Sequence, residues 1–129
     1  MTFDLLIEKR KIIVFATIEG VKDSRSFKFI LDTGATKTII DEELVRSLGY
    51  QLFRLERGDR LPTASGKVHS KILKLPKFSL FGKDKVNFEV NVIKFPLQIT
   101  VLADGLIGMD FLLQFKNIKF NFDDKTVEV

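Results

Sequence analysis

The stretch Phe29-Ile30-Leu31-Asp32-Thr33-Gly34-Ala35-Thr36 places one carboxylate at the end of an apolar run and follows it with small residues. Ser26-Phe27-Lys28 alternates polar and apolar just before that run, the pattern of a strand that starts at the surface and enters a core. An acid flanked this way needs partners, because desolvation disfavours its charged form. Gly34 permits a backbone geometry or a close approach that a Cβ would block. Thr33, Ala35 and Thr36 are small enough to let something reach Asp32. Taken alone, the tripeptide reads equally well as an ordinary turn, for which Asp, Thr and Gly are usual.

On both sides the chain reads as short strands. Upstream, Lys11 to Ile18 is a β-branched and aromatic run closed by Glu19-Gly20, and Val21 to Arg25 connects it to the next strand as a hairpin. Downstream, Asp41 to Gly49 predicts a helix: acids open it, Leu44 and Leu48 share a face, and Gly49 suits the left-handed closing position. Leu52-Phe53-Arg54-Leu55 then leads to a polar stretch, Thr63-Ala64-Ser65-Gly66-Lys67. Val68 to Leu75, Phe78 to Phe81, Val86 to Val92 and Leu97 to Leu102 read as further strands, with Gly82-Lys83-Asp84-Lys85 as a hairpin tip. A short helix is expected to start near Met109, with Phe111, Leu112 and Phe115 on one side. Ile118 to Phe122 and Thr126 to Val129 form a last hairpin around Asp123-Asp124-Lys125. Many short strands, two short helices and no linker predict one all-β domain over residues 1–129, closed or sandwiched.

A second, distant feature changes the weight of Asp32: Asp104-Gly105-Leu106-Ile107-Gly108-Met109-Asp110-Phe111-Leu112. Ile30-Leu31-Asp32-Thr33-Gly34-Ala35-Thr36 resembles the active-site loop of the retropepsin-like aspartic proteases. Leu106-Ile107-Gly108, leading into a short helix, is similar to that family's hydrophobic-hydrophobic-glycine motif, which crosses beneath the loop and supports it. Roughly seventy residues separate the two motifs, as in the family, and the likeness covers nearly the whole chain. The fold it implies is an acid-protease barrel with one or two short helices, assembled as a two-fold homodimer.

That resemblance implies an aspartic endopeptidase. Pepsin-like members carry two such motifs in one long chain, whereas this one has a single Asp-Thr-Gly and no Asp-Ser-Gly. Two copies must therefore meet at a two-fold axis, each supplying Asp32. Carboxylates about 3 Å apart share a proton, so one activates a water while the other hydrogen-bonds the substrate carbonyl. By resemblance Thr33 locks the two loops together across the axis. Leu106, Ile107 and Gly108 support the loop, and Gly34, Ala35 and Thr36 line the substrate cleft. Ala64, Ser65 and Gly66 match the flap that closes over bound peptide, although an ordinary polar turn fits that stretch too. Thr36-Lys37 stands where retroviral enzymes carry acids, so their subsite preferences do not transfer. Met109-Asp110 stands where those enzymes have Arg-Asn, which points to a cellular or bacterial member. It also leaves open whether the terminal sheet is four-stranded or the hairpin ending at Val129 is used differently. The alternative function is a catalytically silent dimer that binds peptides or proteins.

Composition bounds the rest. The 129 residues suffice for one core, and thirteen phenylalanines against one tyrosine and no tryptophan predict a core filled largely by Phe. Cysteine is absent, which excludes disulfides and thiolate metal sites. His69 is the only histidine and reads as a surface strand residue, so neither a zinc site nor a serine triad is expected, and no cofactor is called for. Asp110 is expected at the start of the short helix, where negative charge is favourable, and Asp123-Asp124 in the last turn. Net charge is +4 with scattered lysines, and no recognition helix or stacking motif accompanies them, so nucleic acid is not an expected partner. No apolar run approaches the roughly 20 residues that span a bilayer, and the acidic start lacks the character of a signal peptide. A cytoplasmic protein acting on peptides or proteins is the expectation.

Overall fold

The structure, a computed structural model, describes residues 1–63 and 66–129. Of the expected flap residues, Ala64 and Ser65 lie outside the described residues. The chain runs β1 (Thr2–Asp4), β2 (Leu6–Glu8), β3 (Lys11–Glu19), β4 (Ser24–Leu31), β5 (Ile39–Asp41), α1 (Glu42–Ser47), β6 (Glu56–Thr63), β7 (Gly66–Leu80), β8 (Lys83–Ile93), α2 (Leu97–Thr100), β9 (Gly105–Ile107), α3 (Met109–Leu112), β10 (Lys119–Asn121) and β11 (Thr126–Glu128).

The larger sheet has the order β2-β3-β4-β9-β5-β8-β7-β6, and β3 also pairs with β7 from Thr17↔Ser79 to Glu19↔Lys77, so the sheet curls back on itself. β3 and β4 pair antiparallel from Ile13↔Ile30 to Glu19↔Ser24. Along β4, exposed Ser24, Arg25 and Ser26 give way to buried Phe29, Ile30 and Leu31, as the sequence pattern predicts. Inside the curl, Phe78 meets Phe29, Phe88 and Phe111 edge-on at centroid distances of 5.3, 5.4 and 5.0 Å. Edge-to-face contacts of this kind let ring edges meet ring faces. Leu, Ile and Val rather than the expected Phe nevertheless make up most of the core, and Phe15, Phe53 and Phe122 are exposed.

A smaller sheet, ordered β1-β11-β10, gathers both ends of the chain. The Met1 ammonium donates to the Val129 carbonyl at 2.9 Å, and the Val129 amide donates back to Met1 at 3.0 Å. Within one chain the terminal sheet is therefore three-stranded.

Several expected elements differ. The apolar run at Leu97 to Leu102 is not a strand: it opens with α2, where the Ile99 and Thr100 amides both donate to Pro96 O at 3.0 and 3.2 Å. The described residues thus hold three short helices rather than one or two. Val68 to Leu75 and Phe78 to Leu80 are parts of one long strand, β7, which ends before Phe81. Pro76 withholds one donor, but Leu75↔Phe88 and Lys77↔Val86 pair on either side of it. The hairpin tip is Phe81-Gly82 rather than Gly82 to Lys85, with φ of 51° and 77°, the positive values that match a two-residue turn to the strand twist. No helix among the described residues is long and apolar enough to cross a membrane.

Candidate active site

β4 delivers Asp32 at its C-terminal end. β9 lies between β4 and β5, the strands that enter and leave the loop spanning residues 32–38. Leu31 pairs with Ile107 on one side of β9, and Ile39 with Leu106 on the other. The loop therefore arches over the end of Leu106-Ile107-Gly108, and the two sequence motifs meet in space.

The loop is tied down by backbone bonds. The Asp32 amide donates to Ile107 O at 3.0 Å, and the Ala35 amide donates to Asp32 O at 3.2 Å, closing the turn. The Gly34 amide donates to Asp32 Oδ1 at 2.9 Å, which aims the carboxylate along the turn. Asp32 is half-buried, while Thr33 and Gly34 are exposed. Amides in the first turn of a helix have no partner within it; in α3 the Met109 and Asp110 amides donate instead to Ala35 O and Thr36 O at 2.8 and 3.1 Å. Gly108 makes this approach possible. A Cβ there would lie 2.6 Å from the Lys37 carbonyl carbon and oxygen and 2.8 Å from Ala35 O, closer than packed atoms tolerate.

Thr38, which the sequence reading did not place, and Asp110 complete this support. Thr38, fully buried, donates its hydroxyl to Asp110 Oδ1 at 2.8 Å and its amide to Asp110 Oδ2 at 3.0 Å, and its hydroxyl accepts the Gly108 amide at 3.1 Å. Asp110 does open α3, as expected, but its carboxylate is engaged by Thr38. From Thr38 the bonding continues into hairpin β6–β7. The Asn91 amide donates to Thr38 O at 3.1 Å, the Asn91 side chain to Ser70 Oγ at 2.9 Å, and Ser70 Oγ to Asp59 O at 2.6 Å. Lys37 of the loop also reaches Asp59 Oδ2 at 3.5 Å. Of Thr38, Asn91, Ser70 and Asp59 in this chain of bonds, only Asn91, between Val90 and Val92, is a polar residue set singly among apolar ones in the sequence.

The remaining predicted positions are spread out. Gly66 opens β7 with φ of 114°, where glycine is favoured, and Thr63 Oγ1 donates to Gly66 O at 2.5 Å. His69 is an exposed residue of β7. Asp124 closes the last turn with Asn121. Asp104 is a further acid of note: burial pushes its pKa up, and the Asp41 charge adds to this against the opposing bond from the Lys28 amide. It sits beside Lys28, near the end of β9 away from Asp32. Among the described residues no group of three or more His, Asp and Glu side chains could hold a metal ion. Two surface hollows, one along α1 and α2 and one between Phe3, Phe15 and Phe81, are lined by no residue of the Asp32 loop.

The sequence matches the model of the aspartyl protease family over residues 14–111, from β3 into α3. The chain belongs to the aspartyl protease family. Its fold is similar to a retropepsin-like aspartic protease from Rickettsia conorii, with a TM-score of 0.73 at 21% identity over 98% of this chain and 88% of that one. It is also similar to EIAV protease complexed with the inhibitor HBY-793, with a TM-score of 0.64 at 18% identity over 82% of this chain and 88% of that one. No curated protein matches by sequence. The expected retropepsin-like barrel is thus the observed fold, and the matched segment contains both Asp32-Thr33-Gly34 and Leu106-Ile107-Gly108.

Proposed function

We propose that the protein is an aspartic endopeptidase acting as a two-fold homodimer, in which Asp32 of each copy forms one half of the catalytic pair. One observation carries the reading: a half-buried carboxylate, held by the Gly34 amide, stands on a loop arched over Leu106-Ile107-Gly108. Family membership supports peptide hydrolysis as the reaction. Within a single chain the exposed Thr33-Gly34 turn faces open surface, which suits an edge that a second copy completes.

The chemistry follows from two like charges in one place. Two carboxylates about 3 Å apart do not both ionise, so the pair retains one proton. The charged member takes a proton from a water lying between them, and the protonated member donates a hydrogen bond to the peptide carbonyl. No covalent intermediate is needed. Thr33 holds the two loops together across the axis, while Leu106, Ile107 and Gly108 hold each loop from below. Gly34, Ala35 and Thr36 contact the substrate beside the carboxylates, and Ala64, Ser65 and Gly66 close over it from the segment joining β6 to β7, excluding water.

The test is incubation with a diverse peptide mixture from acid to neutral pH. Cleavage is expected, and Asp32→Asn is expected to lower it by about 10²–10⁴-fold with the fold intact. Cleavage that survives Asp32→Asn overturns the assignment. Peptide binding with no cleavage at any pH in that range establishes the silent binding dimer instead.

A further inference from the structure

Between Glu56 and Ile72, hairpin β6–β7 carries its basic residues on one face. Arg57 pairs across the ladder with Lys71, Arg60 with His69, and Pro62 with Lys67. Strand side chains repeat every second residue, so Lys67, His69 and Lys71 share a face, and residues directly opposite in an antiparallel pair point the same way. A register shift between Arg57 and Arg60 inserts an extra residue on β6 and returns Arg60 to the face of Arg57. Arg57, Arg60, Lys67 and His69 are exposed and Lys71 is half-buried. Leu61, Val68, Ser70 and Ile72, on the opposite face, are half-buried or buried.

The acids of the hairpin leave this face charged. Glu56 pairs with Ile72 on the other face, and Asp59 reaches Lys37. Among the described residues, Arg57, Arg60, Lys67 and Lys71 form no ion pair.

We propose that this face docks an extended acidic polypeptide segment. Its cations recur at about 6.7 Å along a strand, the interval at which carboxylates on alternate residues of an extended chain recur. Arg57 and Arg60 supply planar guanidinium forks suited to bidentate carboxylate binding. Residues 56–63 and 66–72 contain no Phe, Tyr or Trp, so the platform on which single-stranded nucleic acid stacks its bases is missing. β6 is also the edge of its sheet, where charge deters edge-to-edge association. Docking predicts more than that, namely a saturable site. The site is independent of whether Asp32 cuts.

The experiment uses Asp32→Asn protein, so that cleavage does not enter, and a fluorescein-labelled peptide of alternating Asp and Ser, followed by anisotropy. Saturable binding is expected that weakens at least about tenfold between about 50 and about 200 mM salt. The combined Arg57→Gln, Arg60→Gln, Lys71→Gln variant is expected to lose at least about tenfold in affinity, since its cations make the site. A control that removes as many charges elsewhere, Lys83→Gln with Lys116→Gln and Lys119→Gln, is expected to bind as before. Arg60→Gln with Lys67→Gln repeats the test at exposed positions, should the half-buried Lys71 be needed for folding. The proposal is overturned by the absence of saturable binding, or by equal losses in the hairpin and control variants. Tighter binding of an oligothymidylate through the same residues overturns it in favour of nucleic acid.

Discussion

Thr38 shows how much of the loop depends on one buried hydroxyl. It donates a hydrogen bond to Asp110 and accepts one from the Gly108 amide. Its removal therefore leaves the buried Gly108 amide without a partner and takes one of two Thr38 bonds from the half-buried Asp110 carboxylate. Thr38→Val, nearly isosteric, is expected to lower the unfolding free energy by about 1–3 kcal/mol, read from urea denaturation, and Thr38→Ser to restore most of it. Nothing in the sequence marks this residue, because its partner lies 72 positions away and each reads locally as an ordinary polar residue. Asp32 was easier to find: its turn is made by adjacent small residues, and only its function needed a distant motif. Asp104 carries a pH signature. Burial raises its pKa, so the folded chain binds that proton more tightly than the unfolded chain. Its contribution to stability is therefore complete below the ordinary carboxylate pKa and fades as pH rises through the raised folded value. Asp104→Asn keeps an acceptor for the Lys28 amide. Its melting temperature is expected to fall less than the parent's on going from about pH 4 to about pH 7; an equal or larger fall would remove Asp104 as a source of that dependence.

At the scale of elements, the crossing of β9 beneath the loop is the feature on which the site rests, and Gly108 is its tightest point. Gly108→Ala would place a methyl 2.6 Å from the Lys37 carbonyl, forcing β9 and the loop apart. A loss of about 1–3 kcal/mol in stability is expected from such overpacking, together with loss of peptidase activity in the protein that still folds. A wild-type melting temperature and full activity would show that the crossing has slack. This element was legible through its resemblance to the family's hydrophobic-hydrophobic-glycine motif, whose glycine the close backbone contact requires here. Others were not. β6 is charged and contains Gly58 and Pro62, which hide a strand; it is tolerated because β6 lies at an edge, where Pro is admitted. Leu97 to Leu102 looked like a strand because a short apolar run with β-branched Ile99, Thr100 and Val101 cannot be told from a buried helix segment by periodicity alone. The order of the sheet decides it, since β9 already fills the position between β4 and β5.

At the scale of the molecule, one chain folds its own ends together in the β1-β11-β10 sheet and carries a single Asp-Thr-Gly turn. The barrel class followed from two motifs and a strand count, and the expectation of a dimer from the single Asp-Thr-Gly. The interface could not be read, because the residues that would join two copies need no recognisable local pattern. A site built from two Asp32 carboxylates makes a quantitative demand that a site within one chain does not: every active unit must draw Asp32 from both copies. Wild-type and Asp32→Asn chains should therefore be unfolded together, refolded in varied proportions and assayed at fixed total concentration. With random pairing, activity should follow the square of the wild-type fraction, leaving about one quarter at equal proportions. A linear dependence, with about one half remaining, would mean that one Asp32 suffices and would contradict the paired-carboxylate site.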